Sequence, residues 1–290
     1  MKEKLYTIPL NDAVNEDGEC PFCFIERKLE QDMINFVIGS QSSYMESDIR
    51  DQTDKAGFCR EHTKKMFDFG NTLGNSLILD THYALLLREF KEQVKNFTPG
   101  KTSFASRIRK KSAASNPMAE WAASKDHSCY ICNGLQESFE RYMETFFVMY
   151  TKDEEFRNKI INGKGFCLHH FGLLMEYADR YLNDKQKSSF YPEMFALMEK
   201  NLTRVKEDVS WLIDKFDYRN KDADWKNSKD ALQRGMQKLR GGYPADPPFK
   251  MSCLQKTWDL FGSFSEPDIQ KAYLQGLSQH KSHSWMRKCL

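Results

Sequence analysis

The chain has 290 residues and a mass of 34.0 kDa, with 43 Lys and Arg against 41 Asp and Glu, a formal net charge of +2. That near balance excludes a polycationic wrapper of nucleic acid and an acidic solvating tail. Hydrophobic residues at 40% and aromatics at 13% supply a core and exclude an intrinsically disordered chain.

The amino-terminal run Met1-Lys2-Glu3-Lys4-Leu5-Tyr6 has no apolar h-region behind it, so no secretory signal is expected. Apolar runs such as Tyr83 to Leu87 fall far below the roughly 20 residues that span a bilayer. The expected location is cytoplasmic. Thiols stay reduced there, so the eight cysteines are read as metal ligands or catalytic dithiols before they are read as disulfides.

Leu and Met outnumber Val and Ile by about two to one, a bias toward helix, because unbranched side chains lose little rotamer freedom there. No proline interrupts Phe22 to Thr98 or Met118 to Tyr191. A first helix is expected after Cys20-Pro21-Phe22-Cys23, with Leu29, Met33, Phe36 and Val37 at helical spacing. Helices over about Thr63 to Phe69 and Leu77 to Phe97 follow. The segment Thr98 to Asp126 carries Pro99, Gly100, serines and the basic run Arg107 to Lys111, and reads as a linker. Beyond it, Cys129-Tyr130-Ile131-Cys132 opens a second long helix through Leu135, Phe139, Tyr142 and Phe146. Further helices are expected from His169 to Leu182, Pro192 to Phe216 and Asp230 to Leu239. Gly241-Gly242 and Pro244, Pro247 and Pro248 then end regular structure before the tail.

Laying Cys20 on Cys129 also lays Cys23 on Cys132 and, with one residue of gap, Gly57-Phe58-Cys59 on Gly165-Phe166-Cys167 and His62 on His170. Six of the eight cysteines therefore fall into a duplicated pattern, Cys-x-x-Cys followed after 35 or 34 residues by Cys-x-x-His. Two cysteines two residues apart can turn both thiolates toward one ion, and Cys-x-x-His at a helix start adds a third thiolate and an imidazole, the donor set of a closed tetrahedral Zn²⁺ site. Gly57 and Gly165 would allow a sharp turn before the second pair, and Phe58 and Phe166 would shield the site from water.

The expectation is an all-α protein of two tandem units, residues 1–97 and 127–219, joined by a linker, 98–126, and followed by a helical extension, 220–290. Cys20, Cys23, Cys59 and His62 would hold one Zn²⁺, and Cys129, Cys132, Cys167 and His170 a second. Exchange of ligand pairs between the repeats stays open, since the spacing serves both pairings. His127 and His169 are spare imidazoles beside the second set.

The motifs Cys-Pro-Phe-Cys and Gly-Phe-Cys-Arg-Glu-His, repeated as Cys-Tyr-Ile-Cys and Gly-Phe-Cys-Leu-His-His, resemble an uncharacterised bacterial family, domain of unknown function 6062. The similarity runs from about Tyr6 to Gly242, with Tyr130 departing from Cys-Pro-x-Cys. It implies a cytoplasmic helical protein with no established activity and gives no catalytic residue to carry over.

With all four coordination positions filled by protein, structural zinc is favoured over catalytic zinc, and a non-enzymatic interaction or regulatory role with a protein partner follows. The rival is a thiol-based redox protein or sensor built on the Cys-x-x-Cys pairs. A nucleic-acid-binding zinc module, with Arg107 to Lys111 on phosphate, is a third and unfavoured reading. The tail places Cys253, His280, His283 and Cys289 at separations that match no familiar metal site, and Trp258, Leu260, Phe261 and Phe264 form an apolar cluster there. No Gly-x-Ser-x-Gly, phosphate-binding loop or His-Glu-x-x-His is present.

Overall fold

The structure is a computed structural model, described here for residues 2–39, 43–98 and 116–242. Among these residues there are eleven α-helices, two short 3₁₀ turns and no strand. The helices are α1 (Lys2–Asn15), α2 (Pro21–Ile38), α3 (Ser47–Ala56), α4 (Arg60–Phe69), α5 (Thr72–Asn96), α6 (Pro117–Asp126), α7 (Tyr130–Lys152), α8 (Glu154–Asn162), α9 (Leu168–Tyr181), α10 (Asp184–Asp214) and α11 (Ala231–Arg240). No helix is long and apolar enough to cross a membrane. The basic run Arg107 to Lys111 and the tail residues Cys253 to Cys289 lie outside the described residues.

The chain forms two compact units that do not follow the tandem division. The described residues of Met1–Asp32 and Gly134–Pro247 make one, and those of Met33–Asn133 the other. Helices α2 and α7 each contribute their first residues to one unit and their last to the other, so these two boundaries, among the described residues, fall inside helices.

The first unit is held by an aromatic core. Phe22, at the start of α2, is fully buried and lies 5.2–5.5 Å, ring centre to ring centre, from Phe139 and Phe146 of α7 and from Phe166. Phe146, Phe147, Phe156, Phe190, Leu174 and Met194 complete the cluster. Local signals start its helices: Asp153 caps α8 by accepting from the Phe156 amide, and Asn183 with Gln186 forms a reciprocal capping box on α10. That box moves the start of α10 to Asp184, eight residues ahead of the expected Pro192, and the helix continues through the proline. Helix α11 packs on α9 and α10, so this part of the expected extension belongs to the first unit.

Lys238 of α11 is 1% exposed and pairs with the equally buried Glu19 at 3.1 Å, while its Nζ also donates to the carbonyls of Glu19 and Lys164 at 2.7 and 2.6 Å. Arg204 holds the same carboxylate at 2.6 Å. Burial pulls the Lys238 ammonium down against the upward pull of Glu19. Removing one partner of such a pair strands the other charge, so Lys238→Ala is expected to cost about 3–5 kcal/mol. A urea melt reads this directly. A change below about 1 kcal/mol would show that Arg204 and Arg234, the latter 3.7 Å from Glu19, compensate the carboxylate without it.

In the second unit α3 packs on α5. Ile34, Val37, Ile38, Tyr44, Met66, Ile78 and Ile131 are buried. Asn71 caps α5 by accepting from the Gly74 amide, and its Nδ2 donates to the Ile38 carbonyl at 2.7 Å, fixing α5 to the end of α2. The outer half of α5 is less covered: Tyr83, Leu87, Phe90, Val94 and Phe97 are all exposed.

Candidate metal centres

All four sequence motifs begin helices. Cys20 and Cys129 immediately precede α2 and α7, with Cys23 and Cys132 in the first turns, and Cys59 and Cys167 are the N-caps of α4 and α9. The Cys167 sulfur accepts the His170 amide at 3.4 Å, which brings the imidazole three residues on back over the cap. Thiolates sit favourably at these ends because unpaired amides and the helix dipole present positive charge there. Gly57 and Gly165 adopt positive φ, +62° and +75°, and make the turns expected of them. A Cβ at Gly57 would meet the His82 ring at 3.0 Å.

The structure pairs the motifs across the two halves, not within them. Cys20 and Cys23 meet Cys167 and His170, whereas Cys59 and His62 meet Cys129 and Cys132. The set Cys20, Cys23, Cys59 and His62, expected to share one ion, is thus divided between two clusters, and so is the set Cys129, Cys132, Cys167 and His170. The reason lies in the packing. Phe22, between the first two cysteines, is buried against Phe139, Phe146 and Phe166, which draws the start of α2 to the start of α9. In the second unit the Tyr130 amide donates to the Gly57 carbonyl at 2.9 Å, and Phe58 lies edge-on to Tyr130, which joins the start of α7 to that of α4.

In the first cluster, His170 Nδ1 lies 3.5, 3.5 and 3.2 Å from the sulfurs of Cys20, Cys23 and Cys167, and Cys23 and Cys167 are 3.8 Å apart. In the second, His62 Nδ1 lies 3.2, 3.4 and 3.3 Å from Cys59, Cys129 and Cys132, with Cys59 and Cys132 3.9 Å apart. Each cluster brings four donor atoms to one point and could hold a metal ion. All four residues of the first are buried; in the second Cys129 and His62 are buried, Cys59 is half-buried and Cys132 is exposed.

Protons are shared unequally inside the clusters. Hydrogen bonds from Cys20 and Cys23, with His170 beside them, hold the Cys167 thiol far below the usual thiol range despite burial. Hydrogen bonds to Cys167 and Cys20, and burial, push Cys23 up. Burial pulls His170 down, but its contacts to Cys167 and Cys20 raise it to about 10. In the second cluster burial lifts the Cys129 thiol, and the hydrogen bond to His62 and the backbone amides of Cys132 and Cys59 outweigh it and hold Cys129 at about 6. Cys132 is pushed up to about 12 by burial and by Cys129. Each cluster therefore holds a low-pKa thiol beside an imidazole, together with a thiol that keeps its proton, and a cation that enters must displace protons.

Three further contacts shape the first cluster and escape a reading of motifs. His170 is stacked on Phe139 at 5.3 Å, its Nδ1 faces the sulfurs, and its buried Nε2 has no hydrogen-bond partner but faces Glu26 Oε2 at 3.6 Å. Glu26 sits one turn beyond Cys23 on α2, and an acidic residue at that offset is the signal that would have pointed to it. Gly241, at the end of α11 with φ +77°, comes so close that a Cβ there would lie 3.3 and 3.4 Å from the sulfurs of Cys23 and Cys167. The spare His169 and Glu26, both exposed, lie beside the buried His170, and His127, at the end of α6, is in none of the donor groups found among the described residues. Beside Cys20 a cleft of about 850 Å³ is walled by paired charges, Arg204 with Glu19 and Arg234 with Asp208 and Asp230.

A carboxylate facing the free nitrogen of a ligating histidine orients the ring and raises its basicity, and loss of such a partner commonly costs 10–100-fold in metal affinity. Glu26→Gln is expected to weaken metal binding at the first cluster by about tenfold, read by chelator competition, with the second cluster unchanged. Equal affinity in variant and parent would show that Glu26 has no hold on His170.

A family model described as a family of unknown function (DUF6062) matches residues 1–246. No curated protein and no solved structure gives a significant match.

Proposed function

The chain belongs to this family of unknown function (DUF6062), and we propose that it is a zinc-braced helical protein that acts by interaction rather than by catalysis. The observation that carries the reading is the agreement of donor spacings with one ion. A tetrahedral Zn²⁺ with Zn–S about 2.3 Å and Zn–N about 2.0 Å sets sulfurs about 3.8 Å apart and each sulfur about 3.5 Å from the nitrogen. The clusters show sulfur pairs at 3.8 and 3.9 Å and sulfur–nitrogen pairs at 3.2–3.5 Å. Three thiolates and an imidazole suit Zn²⁺ over oxygen-seeking cations, and four protein donors leave no position for substrate, which favours a structural over a catalytic role.

In this reading a duplicated ligand pattern has exchanged its halves, as in a domain-swapped pair fused into one chain. Each ion clamps two helix starts that are distant in sequence, and supplies on the order of 10 kcal/mol of apparent folding free energy. Native mass spectrometry should find two zinc ions per chain, and X-ray absorption should report a sulfur-rich tetrahedral shell. A folded, metal-free protein would overturn the reading.

A second reading, a thiol-based redox sensor, is favoured by one observation: Cys132 is exposed and Cys59 half-buried, so peroxide can reach one thiolate set and not the other. The protein partner expected from the sequence is proposed in the same spirit, with a cytoplasmic location. Nucleic acid is a weaker candidate, given the +2 balance.

A further inference from the structure

We propose that the outer face of α5 is a self-association surface, on which two copies of this chain pair through an apolar seam. The observation is independent of the metal centres. Tyr83, Leu87, Phe90, Val94 and Phe97 recur at intervals of four, three, four and three residues, the 3.5-residue repeat that lets two helices stay in contact along their length. The structure leaves every one of them open: Tyr83 is 57%, Leu87 54%, Phe90 44%, Val94 51% and Phe97 39% exposed. A surface helix of a monomer normally buries such a stripe and exposes its charges. Here α5 does so only near its start, where Gly74 and Ile78 are buried.

The size of the seam favours a second copy over a small ligand or short peptide. With neighbouring Leu79 it leaves on the order of 600 Å² of apolar side chain open per chain, so two copies would remove about 1,200 Å², the lower bound of a standard stable interface. The roughly 600 Å² on each chain stands at the top of the 300–600 Å² that the largest apolar patch of a monomer usually spans. The spacing is also compatible with two-fold closure. Laid antiparallel, the seam sets Leu87 opposite Phe90 of the second copy and Tyr83 opposite Val94, and the same two contacts recur on the other side of the axis. The rim is polar, with Arg88, Lys91, Glu92 and Lys95 exposed along the helix. Trp121 of α6 packs on Phe90 at 5.7 Å and flanks the seam with further apolar surface, while Lys125 pairs with Glu89 at 2.6 Å and holds α6 in place.

The test is the mass of the full, metal-loaded chain in solution between about 1 and 100 µM, the range in which an interface of this size associates. Light scattering should give twice 34.0 kDa at the upper end. Leu87→Glu combined with Phe90→Glu should return the protein to the single-chain mass with its helical circular dichroism and metal content unchanged, because both side chains are already exposed. Phe216→Glu, on a still more exposed ring in the first unit, should leave the dimer intact. A parent that stays a single chain throughout the range overturns the proposal and assigns the cover of the seam to another part of the chain or another partner. So does a dimer that survives the double substitution. A dimer dissolved equally by Phe216→Glu would place the interface elsewhere and overturn it too.

Discussion

Replacing Cys167 by serine is expected to lower the metal content from two ions per chain to one and to unfold the first unit. The residue is fully buried, its sulfur touches Cys23 and His170, and it caps α9; a serine hydroxyl still caps the helix, so the substitution removes the ligand and keeps the device that starts the helix. A structural zinc site supplies roughly 10–16 kcal/mol of apparent free energy at neutral pH. A domain of this size is stable by about 5–15 kcal/mol in all. Loss of the ion therefore takes most or all of the margin, while the adjacent Phe166→Ala, a pure packing loss in the same core, should cost only about 3–5 kcal/mol. Comparing the two separates metal from packing. Native mass spectrometry, near-ultraviolet circular dichroism and limited proteolysis should show Cys167→Ser with one ion, lost aromatic signal and cleavage confined to the first unit, and Phe166→Ala with two ions and a lowered but cooperative melt. A Cys167→Ser protein that melts within a few degrees of the parent would show that the cluster does not brace the fold.

The donor residues of the two clusters could be read from the sequence because their geometry is local: Cys-x-x-Cys and Cys-x-x-His each need only one helical turn to aim two side chains, and a single turn is fixed by adjacent residues. Pairing them could not be read, because both repeats carry the same spacing, and either pairing gives three sulfurs and a nitrogen. What decides it is long-range. Phe22 buries against Phe139, Phe146 and Phe166, and the Tyr130 amide reaches the Gly57 carbonyl, contacts between segments that local spacing does not relate.

The helices follow the same rule. Those with a broad apolar stripe, α2, α7, α9 and α10, were legible in place if not in their first residues. The ones that were not, α3, α6 and α8, are nine or ten residues long; α3 and α8 present few apolar positions, and α6 falls inside the segment read as a linker. Helix α1 was hidden by Pro9 within it. Nothing in the spacing singles out Glu19 or Lys238, since burial of a charged residue is decided by what packs over it. In Lys238 that is α11 lying on α9 and α10.

The sharpest difference between the two clusters is access, and it leads to the second large effect. Limited hydrogen peroxide is expected to release one of the two metal ions, from Cys59, His62, Cys129 and Cys132, and to leave the other bound. Cys132 is exposed and Cys59 half-buried, their sulfurs 3.9 Å apart, whereas every ligand of the first cluster is buried and Gly241 closes over Cys23 and Cys167. With the ion bound Cys132 is a thiolate, the metal having displaced the proton that the metal-free thiol keeps, and its attack on peroxide breaks the O–O bond, giving a sulfenic acid and hydroxide. The Cys59 thiolate then displaces hydroxide from that sulfur to form a disulfide. Two sulfurs have lost one electron each, peroxide has become two waters after uptake of two protons, and a disulfide no longer supplies the thiolates that hold the ion. Reactivity of a thiolate follows its access, so release from this cluster should be at least about tenfold faster than from the buried one. A colorimetric zinc indicator should report one equivalent per chain, peptide mapping should find the Cys59–Cys132 disulfide, and reductant with added zinc should restore the starting state. Both ions leaving together, or a first disulfide among Cys20, Cys23 and Cys167, would rule out the sensor. Stable retention of both ions would leave two structural braces and assign the exposure of Cys132 no chemical role.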